Sequence, residues 1–413
     1  MNKNIQREIL NEFNKSNFRK AYDLAINLDA KEKNEIILKI LTISSFKIEN
    51  YSNAIRHGLD YLKLKDQNKN IQILNIIGTS YSILRNYDLG NKFFEAILLI
   101  DHNNISIRYN LALNLYNQKK FKESGEQFIN IIDKDEDYRD SELFYGIIQS
   151  ELKNYRKSID IFEELIEKGK YKSQTHYNLG IVYQNINDYE LSIKHLKKAI
   201  EHDNKQSKYY NSLGISFQKI FKFDKAKSCY EKAILLNKNY SKAYSNLALL
   251  KQKNGLFDEA IKYYDIALEK KPKDNETLYN KSICQLENGN FEEGLKLYKW
   301  RQNGKFISSD KFSLNNVNNK KILITCDQGL GDIILSSRFV KALPKYGAKV
   351  TFQIPKGMES LMQNLSSDVE IISEENLNSN FDYKCTLGDL FEIFNISKSD
   401  IPFTREYLII EKK

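Results

Sequence analysis

The sequence is poor in several features that mark common classes of protein. Its 413 residues include four cysteines, four prolines and one tryptophan. The cysteines lie far apart and form no CxxC pair, so we expect a reduced, cytoplasmic protein without a disulfide framework. No run of about 18 apolar residues is present, and we therefore expect no membrane span. The polar first residues lack the pattern of a signal peptide.

Catalytic and metal-binding spacings are also scarce. We find no P-loop, zinc spacing or Ser-His-Asp set. The five histidines fall at unrelated positions, and His195 and His202 lie two helical turns apart on one predicted helix, too far for a metal pair. We interpret all five as ordinary helix or loop residues and predict no metal site.

Positive charge is in excess, with a formal net charge of +9. Such an excess raises the possibility of a nucleic-acid partner, because basic surfaces attract phosphate. The lysines alternate with acidic residues, however, as on solvated helix faces. Lysine, asparagine and isoleucine are abundant throughout the chain. We therefore expect no nucleic-acid partner.

A repeat of 34 residues dominates the middle of the chain, in blocks 173–206, 207–240 and 241–274. Each block places a leucine, a small residue, an aromatic residue and an alanine at the same offsets. These sets are Leu179, Leu213 and Leu247; Gly180, Gly214 and Ala248; Tyr189, Phe223 and Phe257; and Ala199, Ala233 and Ala267. The period predicts two amphipathic helices per block, with the small residues where the helices cross. The blocks resemble the tetratricopeptide repeat.

The same register extends in both directions from these blocks. It predicts about nine helix pairs over residues 1–301, because each pair must share its apolar face with a neighbour. Their approximate limits are 2–34, 35–70, 71–104, 105–138, 139–172, the three blocks above and 275–301. The last pair ends at Trp300, which we expect to pack against the segment that follows.

The period changes after residue 301. Residues 302–319 are rich in asparagine and serine and read as a linker. From residue 320 to 413, short apolar runs alternate with helical patterns, which predicts a parallel sheet covered by helices. The predicted strands are 321–326, 349–354, 369–373 and 382–386.

A glycine-rich turn, residues 326–332, joins the first predicted strand to the first helix. Its glycines allow close approach of a ligand, and Asp332 lies at the helix start. Asp332 is either a plain N-cap or a functional carboxylate. Ile334 occupies the third glycine position of the dinucleotide fingerprint, so a dinucleotide site is not expected.

Residues 320–413 resemble the N-terminal half of a GT-B glycosyltransferase of the heptosyltransferase-like family 9, in the group fused to tetratricopeptide repeats. The matching residues are Gln328, Gly329, Leu330, Gly331 and Asp332, Arg338, 347–350, 381–385, 401–402 and 407–408. The resemblance implies a mostly α protein, a right-handed α-α superhelix followed by a small Rossmann-like α/β half-domain. It also implies that Asp332 is the general base and that Gln328 to Gly331 form the acceptor-binding loop. Lys384 stands where the family often has histidine.

In that family the C-terminal half holds the donor nucleotide sugar. We find no such half in this chain, and therefore expect no bound cofactor and no sugar transfer by the chain alone. A glycan or protein acceptor would be the partner if the missing half were supplied. The alternative is a non-catalytic module that binds peptide or protein, with the α/β tail as a cap.

A second candidate site follows the first helix of each repeat. Tetratricopeptide superhelices usually bind extended peptide on a concave face lined by these helices. Asparagines recur there at one repeat position, where their amides can both donate to and accept from a peptide backbone. They are Asn110, Asn178, Asn246 and Asn280, and Ile76, Phe144 and Ser212 interrupt the series.

Overall fold

The computed structural model describes residues 3–28, 34–64, 70–302, 313–327, 329–373, 380–394 and 402. The chain divides into two compact units, Met1–Asn204 and Lys205–Lys413. The first unit consists of helices packed in consecutive pairs. They are α1 (Lys3–Asn14), α2 (Phe18–Ile26), α3 (Glu35–Lys47), α4 (Tyr51–Leu62), α5 (Ile71–Ile83), α6 (Tyr87–Ile100), α7 (Ile105–Asn117), α8 (Phe121–Ile132), α9 (Ser141–Glu151), α10 (Tyr155–Glu167), α11 (Lys172–Asn185) and α12 (Tyr189–His202).

The second unit begins with three further helix pairs and continues into an α/β unit. The helices of the pairs are α13 (Ser207–Lys219), α14 (Phe223–Leu236), α15 (Ser241–Lys253), α16 (Phe257–Lys270), α17 (Asn275–Glu287) and α18 (Phe291–Tyr298). The predicted mostly helical repeat fold is thus confirmed. Among the described residues, no helix has both the length and the apolar character needed to cross a membrane.

In four of the described pairs, a glycine of the first helix faces a large side chain of the second, and these glycines are Gly78, Gly146, Gly180 and Gly214. A Cβ added at Gly146 would lie 2.6 Å from Phe162, and one at Gly214 would lie 2.5 Å from Tyr230. Both rings are fully buried. Burying one such side chain contributes about 1.5–3 kcal/mol. The glycine makes this burial possible, because it lets the two helices approach closely.

The turn inside each pair contains one residue with a left-handed backbone. From Arg85 onward these residues recur every repeat, and glycine occupies only the last two positions. They are Arg85, Lys119, Lys153, Asn187, Phe221, Gly255 and Gly289. In the pair α7–α8, Lys119 and Lys120 donate backbone hydrogen bonds to Tyr116 and Leu115. Such bonds satisfy carbonyls at the end of the first helix.

Asparagine begins many of the helices. Its side chain accepts a hydrogen bond from the third residue beyond it at Asn34, Asn50, Asn70, Asn86 and Asn104. Each such cap contributes about 1 kcal/mol to helix stability. The abundance of asparagine therefore has a local structural use in the first unit.

The α/β unit contains a four-stranded parallel sheet in the order β3-β2-β1-β4. The predicted parallel sheet is confirmed. Its elements are β1 (Lys321–Thr325), α19 (Leu330–Ala342), β2 (Lys349–Gln353), α20 (Glu359–Met362), β3 (Val369–Ile372), β4 (Tyr383–Thr386) and α21 (Leu390–Ile393). Short 3₁₀ helices span Leu314–Asn316, Leu343–Tyr346 and Leu387–Asp389.

The core of this unit lies between the sheet and its helices. Ile322, Ile324 and Phe352 of the strands are fully buried there. Val317 is also fully buried in this core, although it falls within the predicted linker 302–319. The polar neighbours of Val317 hid its apolar contact, and residues 303–312 of that segment lie outside the described residues.

Candidate functional site

The carboxyl edge of the sheet holds a buried ion-pair cluster made by Arg301, which follows the last helix pair. Its Nε atom lies 2.6 Å from Asp327 Oδ2, just beyond β1, and its Nη2 atom lies 2.8 Å from Asp389 Oδ1. Nη2 also donates to Thr386 Oγ1 at the end of β4. The Arg301 side chain is only 7% exposed and that of Asp327 only 2%.

The strand order places the Arg301 cluster at the position where open α/β sheets usually bind ligands. From β1 the chain adds β2 and β3 on one side of the strand, and it later adds β4 on the other. In open α/β sheets, ligands usually bind at the carboxyl ends beside such a switch point. Here the guanidinium of Arg301 occupies that position. Gly388 is required beside it, because an added Cβ would lie 2.5 Å from Arg301 Nε.

Aromatic contacts accompany the charge cluster. Tyr298, in the last turn of α18, lies 5.9 Å from the ring of Phe391 and 6.1 Å from the ring of Tyr279. The Arg301 guanidinium lies 5.1 Å from the Tyr298 ring centroid. Trp300, which is predicted to pack against the segment that follows it, is half-buried. The charged contacts with that segment are made by the next residue, Arg301.

The loop residues predicted to bind an acceptor surround the start of α19. Gly329 is the N-cap residue, and Leu330 and Gly331 begin the helix. Asp332 is exposed in the first turn, so it does not cap α19, although a carboxylate there still favours the helix N-terminus. Gln328 lies outside the described residues.

The charge of Asp332 affects Tyr279 on α17, in the last helix pair. Burial raises the pKa of Tyr279, Arg301 opposes this increase, and Asp332 and Asp327 add to it.

A separate depression of about 400 Å³ opens on the other side of β1, lined in part by Cys326. Burial, assisted by Asp327, raises the pKa of the Cys326 thiol to about 12. This cysteine is therefore protonated at neutral pH and is a poor nucleophile.

The four asparagines of the predicted peptide ladder all lie on first helices and are half-buried. Asn110 is on α7 and Asn178 on α11 in the first unit, and Asn246 is on α15 and Asn280 on α17 in the second. Of the interrupting residues, Ile76 and Ser212 are buried and Phe144 is half-buried.

Some of these first-helix polar groups bond to the neighbouring helix pair. Asn246 Nδ2 donates to Asn211 Oδ1 over 2.9 Å. In the same unit, Thr277 donates to Ser245 over 3.1 Å and Gln252 donates to Glu287 over 2.7 Å. The repeat pattern does not reveal these bonds, because the partners lie in adjacent repeats at different offsets.

Three of the histidines, which occupy unrelated repeat positions in the sequence, lie close together in the structure. His176 of α11 meets His195 of α12, and its ring is parallel to that of His202. Spacing along a single helix does not reveal this contact, because the close partner of His195 comes from the other helix of the same repeat.

Comparisons with known proteins agree with the helical architecture. Tetratricopeptide repeat models match residues 173–205, 207–240 and 245–300. A tetratricopeptide repeat protein from Parabacteroides merdae is 13% identical, with 61% of this chain and 98% of that chain covered and a TM-score of 0.55. The structures of MamA (24% identical, 38% and 91% covered, TM-score 0.34) and YrrB (18%, 44% and 95%, TM-score 0.34) also match. No curated protein matches the chain.

Residues 173–300 therefore carry tetratricopeptide repeats. The matched models end at residue 300, so the resemblance of residues 320–413 to glycosyltransferases stays a prediction.

Proposed function

We propose that this protein is an interaction scaffold whose first helices bind an extended segment of a partner protein. The observation that supports this most directly is the recurrence of half-exposed asparagine amides at one repeat position, as at Asn246 and Asn280. Asn246 uses its Nδ2 group toward Asn211, which orients its Oδ1 atom as an acceptor for a peptide N–H. Side-chain amides of this kind recognise peptide backbone with little regard to sequence.

Binding by selected peptides tests the scaffold proposal. Peptides are selected from a random phage-displayed library on the whole chain and measured by calorimetry. The double change Asn246→Ala with Asn280→Ala is expected to weaken binding roughly tenfold, since each hydrogen bond contributes about 0.5–1.5 kcal/mol. The control Asn239→Ala removes an exposed amide in a turn and is expected to leave affinity unchanged. Equal affinities for both variants would refute the role of the asparagines.

The α/β unit is proposed to cover the last helix pair. Support comes from the Arg301 ion pairs and from the contact between Tyr298 and Phe391. A terminal repeat exposes an apolar face, and a covering element keeps that face from water. This arrangement agrees with the non-catalytic alternative, in which the tail is a cap.

A second candidate is glycosyl transfer, favoured by the exposed carboxylate of Asp332 at the carboxyl edge of the sheet. If another chain supplied the missing donor-binding half, Asp332 would accept the proton of an acceptor hydroxyl while the hydroxyl oxygen attacks the anomeric carbon of a nucleotide sugar. The bond from that carbon to the diphosphate would break, and the nucleoside diphosphate would leave with the bonding electrons. Turnover of a nucleotide sugar that falls about 10²–10⁴-fold in Asp332→Asn and survives in Asp368→Asn, a change of another exposed aspartate, would support it. Turnover that is equal in both variants would exclude Asp332 as the base.

A further inference from the structure

Three of the five histidines of the chain gather inside one helix pair of the first unit. His176 lies on α11, and His195 and His202 lie on α12. The Nδ1 atoms of His176 and His195 are 3.2 Å apart. The rings of His176 and His202 are parallel, with centroids 5.7 Å apart.

The separation of the two Nδ1 atoms is suited to a shared metal ion. Two nitrogens that each bind Zn²⁺ at about 2.0–2.1 Å in tetrahedral geometry lie about 3.3 Å from each other. Imidazole is also the preferred ligand of Cu²⁺ and Ni²⁺. We propose that His176, His195 and His202 form a binding site for a divalent transition-metal ion.

Each histidine has a distinct place in the proposed site. His176 is only 5% exposed and is held between two rings, while His195 is half-buried and stacks on Tyr183 at 5.5 Å. Packing of this kind limits the rotation of both ligands, which favours binding because little side-chain entropy is lost. His202 is exposed at the last residue of α12, and its side chain would have to rotate to reach the ion as a third ligand.

Lys198 is a basic side chain on α12, the helix that carries His195 and His202, and its charge opposes a bound cation. It is exposed on the surface of α12 and can turn toward solvent.

The carboxylates of Glu136, Glu142 and Glu164 form another group with suitable spacing. Lys168 already contacts all three of them. That cluster holds its own cation, the Lys168 ammonium, so its carboxylates already have a positive partner.

The test uses the whole chain without a histidine tag, treated with chelator and titrated with ZnCl₂ in calorimetry. We expect one equivalent to bind and His195→Gln to weaken that binding at least roughly tenfold. His202→Gln is expected to weaken binding less, and His102→Gln, which changes an exposed histidine in a turn, to have no effect. CoCl₂ provides a second readout, because a tetrahedral site gives visible absorption in the wild type and not in His195→Gln.

Ring ¹⁵N shifts keep the test decisive if a variant folds poorly. With only five histidines, each ring signal is assignable, and Zn²⁺ is expected to shift those of His176 and His195 in the wild-type chain. Unchanged ring signals, or equal zinc affinity for His195→Gln and His102→Gln, would overturn the proposal.

Discussion

The helix pairs and the α/β unit are stabilised by different kinds of contact. Within a pair, the bonding groups are close in sequence, as where Ser158 donates to the carbonyl of Gly146, 12 positions away. The ion pair that joins the α/β unit to the last helix pair links Arg301 to Asp389 over 88 positions. Apolar contacts repeat in every pair, whereas the charged contact is made once.

This difference predicts that substitutions in the two regions lower the free energy of unfolding by different amounts. The loss of one apolar contact in a repeated structure weakens that pair and its neighbours by a limited amount. The loss of one partner from a buried charge cluster leaves the other charges without compensation, which is far more costly. Three substitutions test this contrast, in order of expected effect.

The largest effect is expected for Arg301→Met. This change leaves Asp327 and Asp389 without their cation in a nearly water-free place, and the expected cost is about 3–5 kcal/mol in the free energy of unfolding of the α/β unit. Urea unfolding followed by circular dichroism measures it. The control is Lys296→Met, which breaks exposed ion pairs with Glu292 and Glu293 and should leave unfolding unchanged. Similar curves for both variants would remove the contrast between the two regions.

A smaller loss is expected for Gly214→Val. Its side chain would overlap the buried ring of Tyr230, and overpacking of this kind costs about 1–3 kcal/mol. Thermal unfolding should show a lower midpoint for the whole transition of the second unit. Gly331→Val is the matched control, since an added Cβ there meets nothing within 4 Å. If both valines cost the same, helix propensity and not the close contact would be the cause.

The smallest effect, and of opposite sign, is expected for Lys153→Gly. Lys153 has φ of 63° in the turn between α9 and α10, a conformation that costs a side-chain-bearing residue roughly 1 kcal/mol. Glycine should therefore stabilise the first unit by about 0.5–1 kcal/mol in urea unfolding. The reverse change, Gly255→Lys, should destabilise its pair by a similar amount. A destabilised Lys153→Gly protein would show that the lysine side chain contributes more than its backbone strain costs.

The helical repeats could be predicted from sequence because their contacts recur at a fixed period. Leu179 and Gly180 have equivalents at the same offsets in the neighbouring blocks, so each block supports the helix assignment of the others. The α/β strands are also readable from their apolar runs, although α19 begins at Leu330, inside the predicted turn 326–332. Gly329 and Gly331 hid this boundary, because glycine usually indicates a turn.

The candidate sites were less predictable. The loop predicts Asp332 and the repeat position predicts Asn246, and both roles stay predictions. The Arg301 cluster is not predictable, since no period relates Arg301 to Asp327, and the bond between Asn246 and Asn211 is not predictable for the same reason. The histidine cluster was missed because it combines residues of two helices.

The sequence by itself determined the helix pairs and the parallel sheet, because both follow from local patterns of apolar and small residues that fold in only a few ways. The tertiary structure alone decided that Arg301 enters the crevice at the end of β1, that Val317 belongs to the α/β core, and that His176 meets His195. Each of these depends on a single contact between distant or non-equivalent positions. Such a contact leaves no periodic trace, and its free energy comes from burial that only the folded chain creates.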